Sequence, residues 1–282
     1  MGLGFFSVGT VFLTTEKSQM YPTFTAFYCA PLSNRSLFGL THRWLAGTLT
    51  ALLVAGGALA DMVIDTTRVI YPESRREVSF KVTNVSKDRP AFVQMWLDDG
   101  NPSAAPEDAV TPFNLTPPVA RLNADAGQLV RLTYTGEPLP TDRESVFWFN
   151  MLELPPKSAE QNKLSFAVRT RIKVFFRPKA LSGDPAALMK DVKWRVIKKD
   201  NNWVAEGDNP TAYHMSLFGL RLGHNGTYEA PVDGGMVSPK GKISIVMGAV
   251  GNITKPYNQL QVKYVNDYGG ATPVVIPISL QP

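Results

Sequence analysis

Leu164-Ser165-Phe166-Ala167-Val168-Arg169-Thr170-Arg171-Ile172-Lys173-Val174-Phe175-Phe176-Arg177-Pro178 is the stretch whose reading decides the fold. Leu164, Phe166, Val168, Thr170, Ile172, Val174 and Phe176 fall on one set of alternate positions. Ser165, Ala167, Arg169, Arg171, Lys173, Phe175 and Arg177 fall on the other. A period of two over this length predicts a strand. At roughly 3.3 Å per residue it would run about 45–50 Å. Strands are usually about 5–6 residues long, so this one is expected to serve more than one core or partner. Pro178 closes it, because proline cannot donate to a ladder.

Two readings of this strand follow from the residues. One is a long central strand of an ordinary β-sandwich. The other makes its first half, Leu164, Phe166 and Val168, an edge that a second chain completes. Apolar edges aggregate and are normally blunted, so one kept apolar suits strand addition to a client. Pro155 to Lys163, just before it, is polar and led by two prolines, hence a loop.

Working outward, the chain has 282 residues with 22 Pro, 22 Gly and 44% hydrophobic residues, which suits a loop-rich β protein of one or two domains. Its formal net charge of +5 is too mild and too evenly spread to indicate a nucleic-acid partner. The leader region Trp44 to Leu59 is apolar, is preceded by His42-Arg43, and ends in Ala58-Leu59-Ala60. That combination predicts a secretory signal peptide cleaved after Ala60 within a leader of residues 1–60. The run is short of the about 20 residues needed to span a bilayer. Residues 1–40 do not fit a signal peptide, and the translation start is expected downstream, at Met20 or another site. Cys29 is the only cysteine and lies in the leader, so the mature chain is expected to carry no thiol.

From Asp61 the turn signals recur often enough to predict about seven strands before residue 178. They include 77–84, 91–97, 119–122, 128–134 and 145–154. The stretch from Pro102 to Pro118 reads as a proline-rich crossing. That count matches an immunoglobulin-like sandwich. The N-terminal domain is thus 61–179, followed by a linker at 180–185 and a second domain at 186–282. The second domain has strand patterns near 192–197, 203–206, 213–217, 242–246, 261–268 and 274–278. Pro277 makes the last of these an edge strand, and Pro185 to Met189 is the one expected helical turn. The fold class is all-β, with two immunoglobulin-like sandwiches.

No enzyme chemistry emerges. The three histidines, His42, His214 and His224, have no cysteines near them in a zinc spacing. There is no nucleophile elbow, phosphate loop or dinucleotide fingerprint. No catalytic residue, metal or cofactor is expected.

Four segments in order carry a resemblance: Thr67-Arg68-Val69-Ile70-Tyr71-Pro72; Gln94-Met95-Trp96-Leu97-Asp98-Asp99; Phe149-Asn150-Met151-Leu152-Glu153-Leu154-Pro155-Pro156-Lys157; and Arg171 to Pro178. Together they resemble the PapD-like periplasmic pilus chaperones. The resemblance implies two immunoglobulin-like domains in an L or boomerang. It implies a protein that holds pilus or fimbrial subunits lacking their last strand, lends them its own strand, and delivers them to an outer-membrane usher. By resemblance Leu164, Phe166 and Val168 are the donor side chains. Arg68 and Lys173 anchor the client's C-terminal carboxylate, and Glu144, Arg177 and Asp267 form an interdomain salt-bridge network. The short 155–163 loop and the absence of a mature cysteine resemble the short-loop branch. Free protein is expected to hide its sticky strand by self-association. The rival reading is a secreted structural or adhesive protein with two such domains, which would not need a cation pair beside a donor strand.

Overall fold

A computed structural model describes residues 61–154, 167–249 and 256–281. The expected leader, its cleavage site, the 155–163 loop, Leu164 and Phe166 all lie outside the described residues. The first sandwich contains β1 (Met62–Ile64), β2 (Arg68–Pro72), β3 (Val78–Asn84), β4 (Ala91–Asp98), β5 (Phe113–Thr116), β6 (Val119–Leu122), β7 (Gly127–Tyr134), β8 (Ser145–Leu154) and β9 (Val168–Arg177). One sheet has the order β1-β3-β7-β5, and the facing sheet has the order β2-β9-β8-β4-β6.

Alternation places the core. Phe80 and Val82 on β3, Val130 and Leu132 on β7, Phe147, Phe149 and Met151 on β8, and Val174 and Phe176 on β9 all point between the sheets. Phe113 sits among aromatic rings, with centroids 5.3 Å from Tyr71, 5.2 Å from Phe147 and 6.2 Å from Phe176. Tyr71 is fully buried, and its hydroxyl is satisfied: it accepts from the Tyr134 amide at 3.0 Å and donates to the Arg76 carbonyl at 3.0 Å.

One difference from the sequence expectation stands out. Phe113–Thr116 is a strand within what read as a proline-rich crossing, because the buried Phe113 ring fastens it beside β7. The described part of the long strand begins at Val168 and ends at Arg177, so Pro178 closes it as expected.

The second sandwich opens with a single helical turn, α1 (Pro185–Leu188), where Pro185 takes the first helical position and Asp184 accepts from the Ala186 amide. It continues with β10 (Lys193–Lys199), β11 (Asn202–Asn209), β12 (Met215–His224), β13 (Thr227–Tyr228), β14 (Met236–Val237), β15 (Gly241–Ala249), β16 (Gln259–Val265), β17 (Ala271–Pro277) and β18 (Leu280–Gln281). The sheets are β15-β11-β10-β18 and β13-β12-β16-β17, with β14 on β12. Among the described residues strand β17 pairs only with β16 and is an edge, as Pro273 and Pro277 require. In the core between these sheets the Trp194 indole donates to the Tyr264 hydroxyl at 2.9 Å.

Candidate functional site

Strands β2 and β9 run parallel, in a register that makes Arg68 the Cα partner of Lys173 and Pro72 the partner of Arg177. Strand β8 accompanies β9 along nearly its whole length, from Val168 opposite Glu153 to Phe176 opposite Ser145. On its other side β9 is paired by β2 only from Lys173 onward. Among the described residues, Val168–Ile172 therefore presents a backbone edge with no strand beside it. Val168 itself is 43% exposed at the start of that edge.

Arg68 and Lys173 stand where the open edge ends. The Arg68 guanidinium donates to the Val265 carbonyl at 3.1 Å, and its Cζ lies 5.8 Å from the Phe175 ring centroid. Its Nε is buried without a hydrogen-bond partner. Lys173 Nζ is 3.5 Å from Ser216 Oγ and 5.3 Å from the Trp148 ring centroid. Among the described residues neither cation has a carboxylate within ion-pair distance. Burial, and then the charge of Arg68, hold the Lys173 pKa below its ordinary value. Burial likewise lowers that of Arg68, against the opposing pull of Asp267 and Glu144. A cavity of about 360 Å³ is lined by Arg68, Phe175, Ser216, Tyr264 and Asp267 among others. Lys173 is not on its wall, although its ammonium approaches the wall residue Ser216. Two half-buried cations with no carboxylate in ion-pair contact among the described residues are suited chemically to receive an anion.

The structure brings Glu144, Arg177 and Asp267 together. Arg177 donates Nε to Glu144 at 2.8 Å and both terminal nitrogens to the Asp267 carboxylate at 2.6 Å each. Burial works against the Arg177 charge, but its hydrogen bonds to Asp267 and the charge of Glu144 outweigh that, so its pKa lies above the usual guanidinium value. Glu144 is only 3% exposed, so the small energy of a surface pair does not apply to it.

His214 completes the group and was missed from the sequence, where it was considered only as a metal ligand. Its amide donates to Glu144 Oε2 at 2.8 Å, and its Nδ1 lies 2.9 Å from the same oxygen. The backbone adds a bond from the Glu144 amide to the Ala212 carbonyl at 2.9 Å. Gly269, at φ +84°, lies so near Thr67 that a Cβ there would sit 2.2 Å from Thr67 Oγ1. These contacts join the two sandwiches around the cavity.

Of the expected donor residues, only Val168 is described, and it sits on the open edge. Among the described residues no cluster of His, Cys, Asp or Glu could hold a metal. Among them, too, no helix is long and apolar enough to cross a membrane.

Residues 61–182 match the model for the N-terminal domain of PapD, the pili and flagellar-assembly chaperone, and residues 187–275 match that for the C-terminal domain of the pili assembly chaperone PapD. The chain is 38% identical over 227 residues to the chaperone protein FimB/FhaD of Bordetella pertussis, covering 78% of this chain and 89% of that one. It is 37% identical over 242 residues to the probable fimbrial chaperone YadV of Escherichia coli K12, covering 83% and 96%. Among solved structures, the CupB2 chaperone of Pseudomonas aeruginosa is similar at 32% identity with a TM-score of 0.65, over 77% of this chain and all of that one.

Proposed function

The chain belongs to the PapD family of pilus-assembly chaperones, and from that premise we propose that it binds incomplete pilus or fimbrial subunits in the periplasm, without catalysis, and passes them to an outer-membrane usher. The observation that carries this reading is the half-paired strand: among the described residues, β9 is closed by β2 from Lys173 onward and has no strand on that side before it. Such an edge offers unpaired amides and carbonyls to any chain that can lie beside it.

The same geometry supports an orientation for the client. A strand occupying the open edge and ending at the Arg68–Lys173 pair would lie in line with β2. Since β2 is parallel to β9, the client strand would be parallel to β9 too, with its C-terminus toward the start of β2. Its terminal carboxylate would then meet the two cations, which bind it through charge-assisted hydrogen bonds. Leu164, Phe166 and Val168 are the donor side chains in this reading. Each would contribute about 1.5–3 kcal/mol on full burial in a client groove. Glu144, Arg177 and Asp267 keep the two sandwiches oriented around the anchor. Cleavage after Ala60, the domain limits 61–179 and 186–282, the short-loop branch and self-association of the free protein belong to the same proposal.

The test is co-purification from periplasm of wild type and Lys173→Ala, each co-expressed with fimbrial subunits encoded beside it. Recovery of a subunit with wild type and its loss with the variant is the expected result. Failure of any subunit to co-purify with wild type would overturn the chaperone reading.

A further inference from the structure

Beyond the carboxylate anchor, the outer face of the open edge carries a second group of charges. Asp98 and Asn150 are both fully buried on the outer face of the β4-β8-β9 sheet. Asn150 Oδ1 accepts from Arg169 Nε at 2.9 Å and Nη2 at 2.7 Å, and Arg169 Nη1 also donates to the Pro102 carbonyl at 2.6 Å. Arg171 grips Asp98 with two nitrogens, Nε at 3.2 Å and Nη2 in a closer contact. Each guanidinium lies over an indole. Arg169 Cζ is 4.8 Å from the Trp96 centroid, and Arg171 Cζ is 4.2 Å from that of Trp148.

Asp98 also accepts from the Gly100 amide at 2.7 Å and from Asn150 Nδ2 at 2.8 Å, so rotation of Arg171 would leave its buried charge without that cation, and rotation of Arg169 would leave Asn150 Oδ1 without these donors. The two are therefore fixed in place, 21% exposed each, on the very residues that form the open edge. Arg171 Nη1 has no hydrogen-bond partner among the described residues. With Lys173, the row has three cations and one carboxylate, a net charge of +2.

We propose that Arg169 and Arg171 read the side chains of the captured strand, favouring carboxylates at the alternate client positions that share their face of the sheet. The inference rests on the strand-capture reading above. Its physical basis is that residues opposite one another in a ladder place their side chains on the same face, within contact. Residues two apart on the client would face Arg169 and Arg171, and those between them would face the apolar side with Val168. A one-residue shift moves every side chain to the other face. The recognised feature is thus the parity of acidic residues on the client, and not its net charge alone.

The experiment uses the mature chain and two synthetic peptides of equal length and composition, both ending in a free carboxylate. Each has two glutamates spaced two apart, and the pair is shifted by one residue between them. Binding is measured by calorimetry at low and high salt. One parity should bind about fivefold tighter than the other, given two cross-strand charge pairs, and the difference should shrink with salt. It should vanish in Arg169→Gln/Arg171→Gln. Because that variant strands Asp98, a second, Asp98→Asn/Arg171→Gln, removes the buried charge along with its partner and should lose much of the preference while folding. Equal binding of the two peptides to wild type would overturn the inference and leave strand capture standing. A preference that survives in the variants would overturn it also. If neither peptide binds, strand capture itself fails, and the inference with it.

Discussion

Arg68 and Lys173 are Cα partners across two parallel strands, and among the described residues neither has a carboxylate within ion-pair distance. The register of β2 on β9 thus brings together two cations more than a hundred positions apart in sequence. It also sets the point at which β9 changes from a paired strand to an open one.

Client affinity should fall in alkaline solution. In the free protein, burial and the neighbouring Arg68 hold the Lys173 pKa below its ordinary 10.5. A bound carboxylate favours the charged form and raises it again. Affinity is therefore full while pH stays below the lowered value, and declines as pH rises through it. Titrating the dissociation constant of a client peptide against pH checks this, and Lys173→Met should flatten the profile.

The same lysine should destabilise the free chain. A basic group with a lower pKa folded than unfolded binds fewer protons in the native state. Its penalty is fully present below the folded pKa and is relieved as pH rises toward 10.5. Lys173→Met should raise the melting temperature of the free protein by a few degrees at neutral pH, while weakening client binding. A lower melting temperature would mean that the Lys173 contacts with Ser216 and Trp148 outweigh its desolvation.

Two arginines offer a contrast in stability. Arg177→Ala leaves Glu144 buried without its cation and should cost about 3–5 kcal/mol in chemical denaturation. Arg195 also pairs with a carboxylate, Glu206 at 2.6 Å, but its side chain is 64% exposed. Arg195→Ala should cost no more than about 1 kcal/mol. Similar losses for both would show that the Glu144 network is as solvated as a surface pair.

Phe113→Ala removes a ring touched by Tyr71, Phe147, Tyr134 and Phe176. The expected loss is about 3–5 kcal/mol. A loss under about 1 kcal/mol would mean that β5 is a peripheral flap.

Phe113 also illustrates what alternation can and cannot reveal. Strands β3, β7, β8 and β9 are readable because several apolar side chains recur at every second position. Strand β5 has four residues between prolines, and too few of them turn inward to form a pattern. Strand β12 was read only as far as Leu217. It continues to His224 through Gly219 and Gly223, which interrupt the apolar signal.

The site divides in the same way. Arg68, Lys173 and Arg177 lie in the four ordered segments, and Glu144 and Asp267 are named by the family resemblance alone. The structure adds their distances and the burial of Glu144. His214 and the Asp98–Asn150–Arg169–Arg171 group were not legible. Their partners come from strands whose order in the sheet no single segment specifies, and a lone histidine or aspartate carries no periodic signature. Leu164 and Phe166 remain readings of the alternation alone.

The measurement that tests the central claim most directly compares one client C-terminal peptide in two forms, with a free carboxylate and with an amidated C-terminus, against the mature protein. If Arg68 and Lys173 receive the terminal charge at the end of the open edge, the free acid should bind at least about tenfold tighter, as expected for hydrogen bonds to a charged group. That advantage should disappear in Lys173→Ala. Equal affinity of the two forms for wild type would contradict the account.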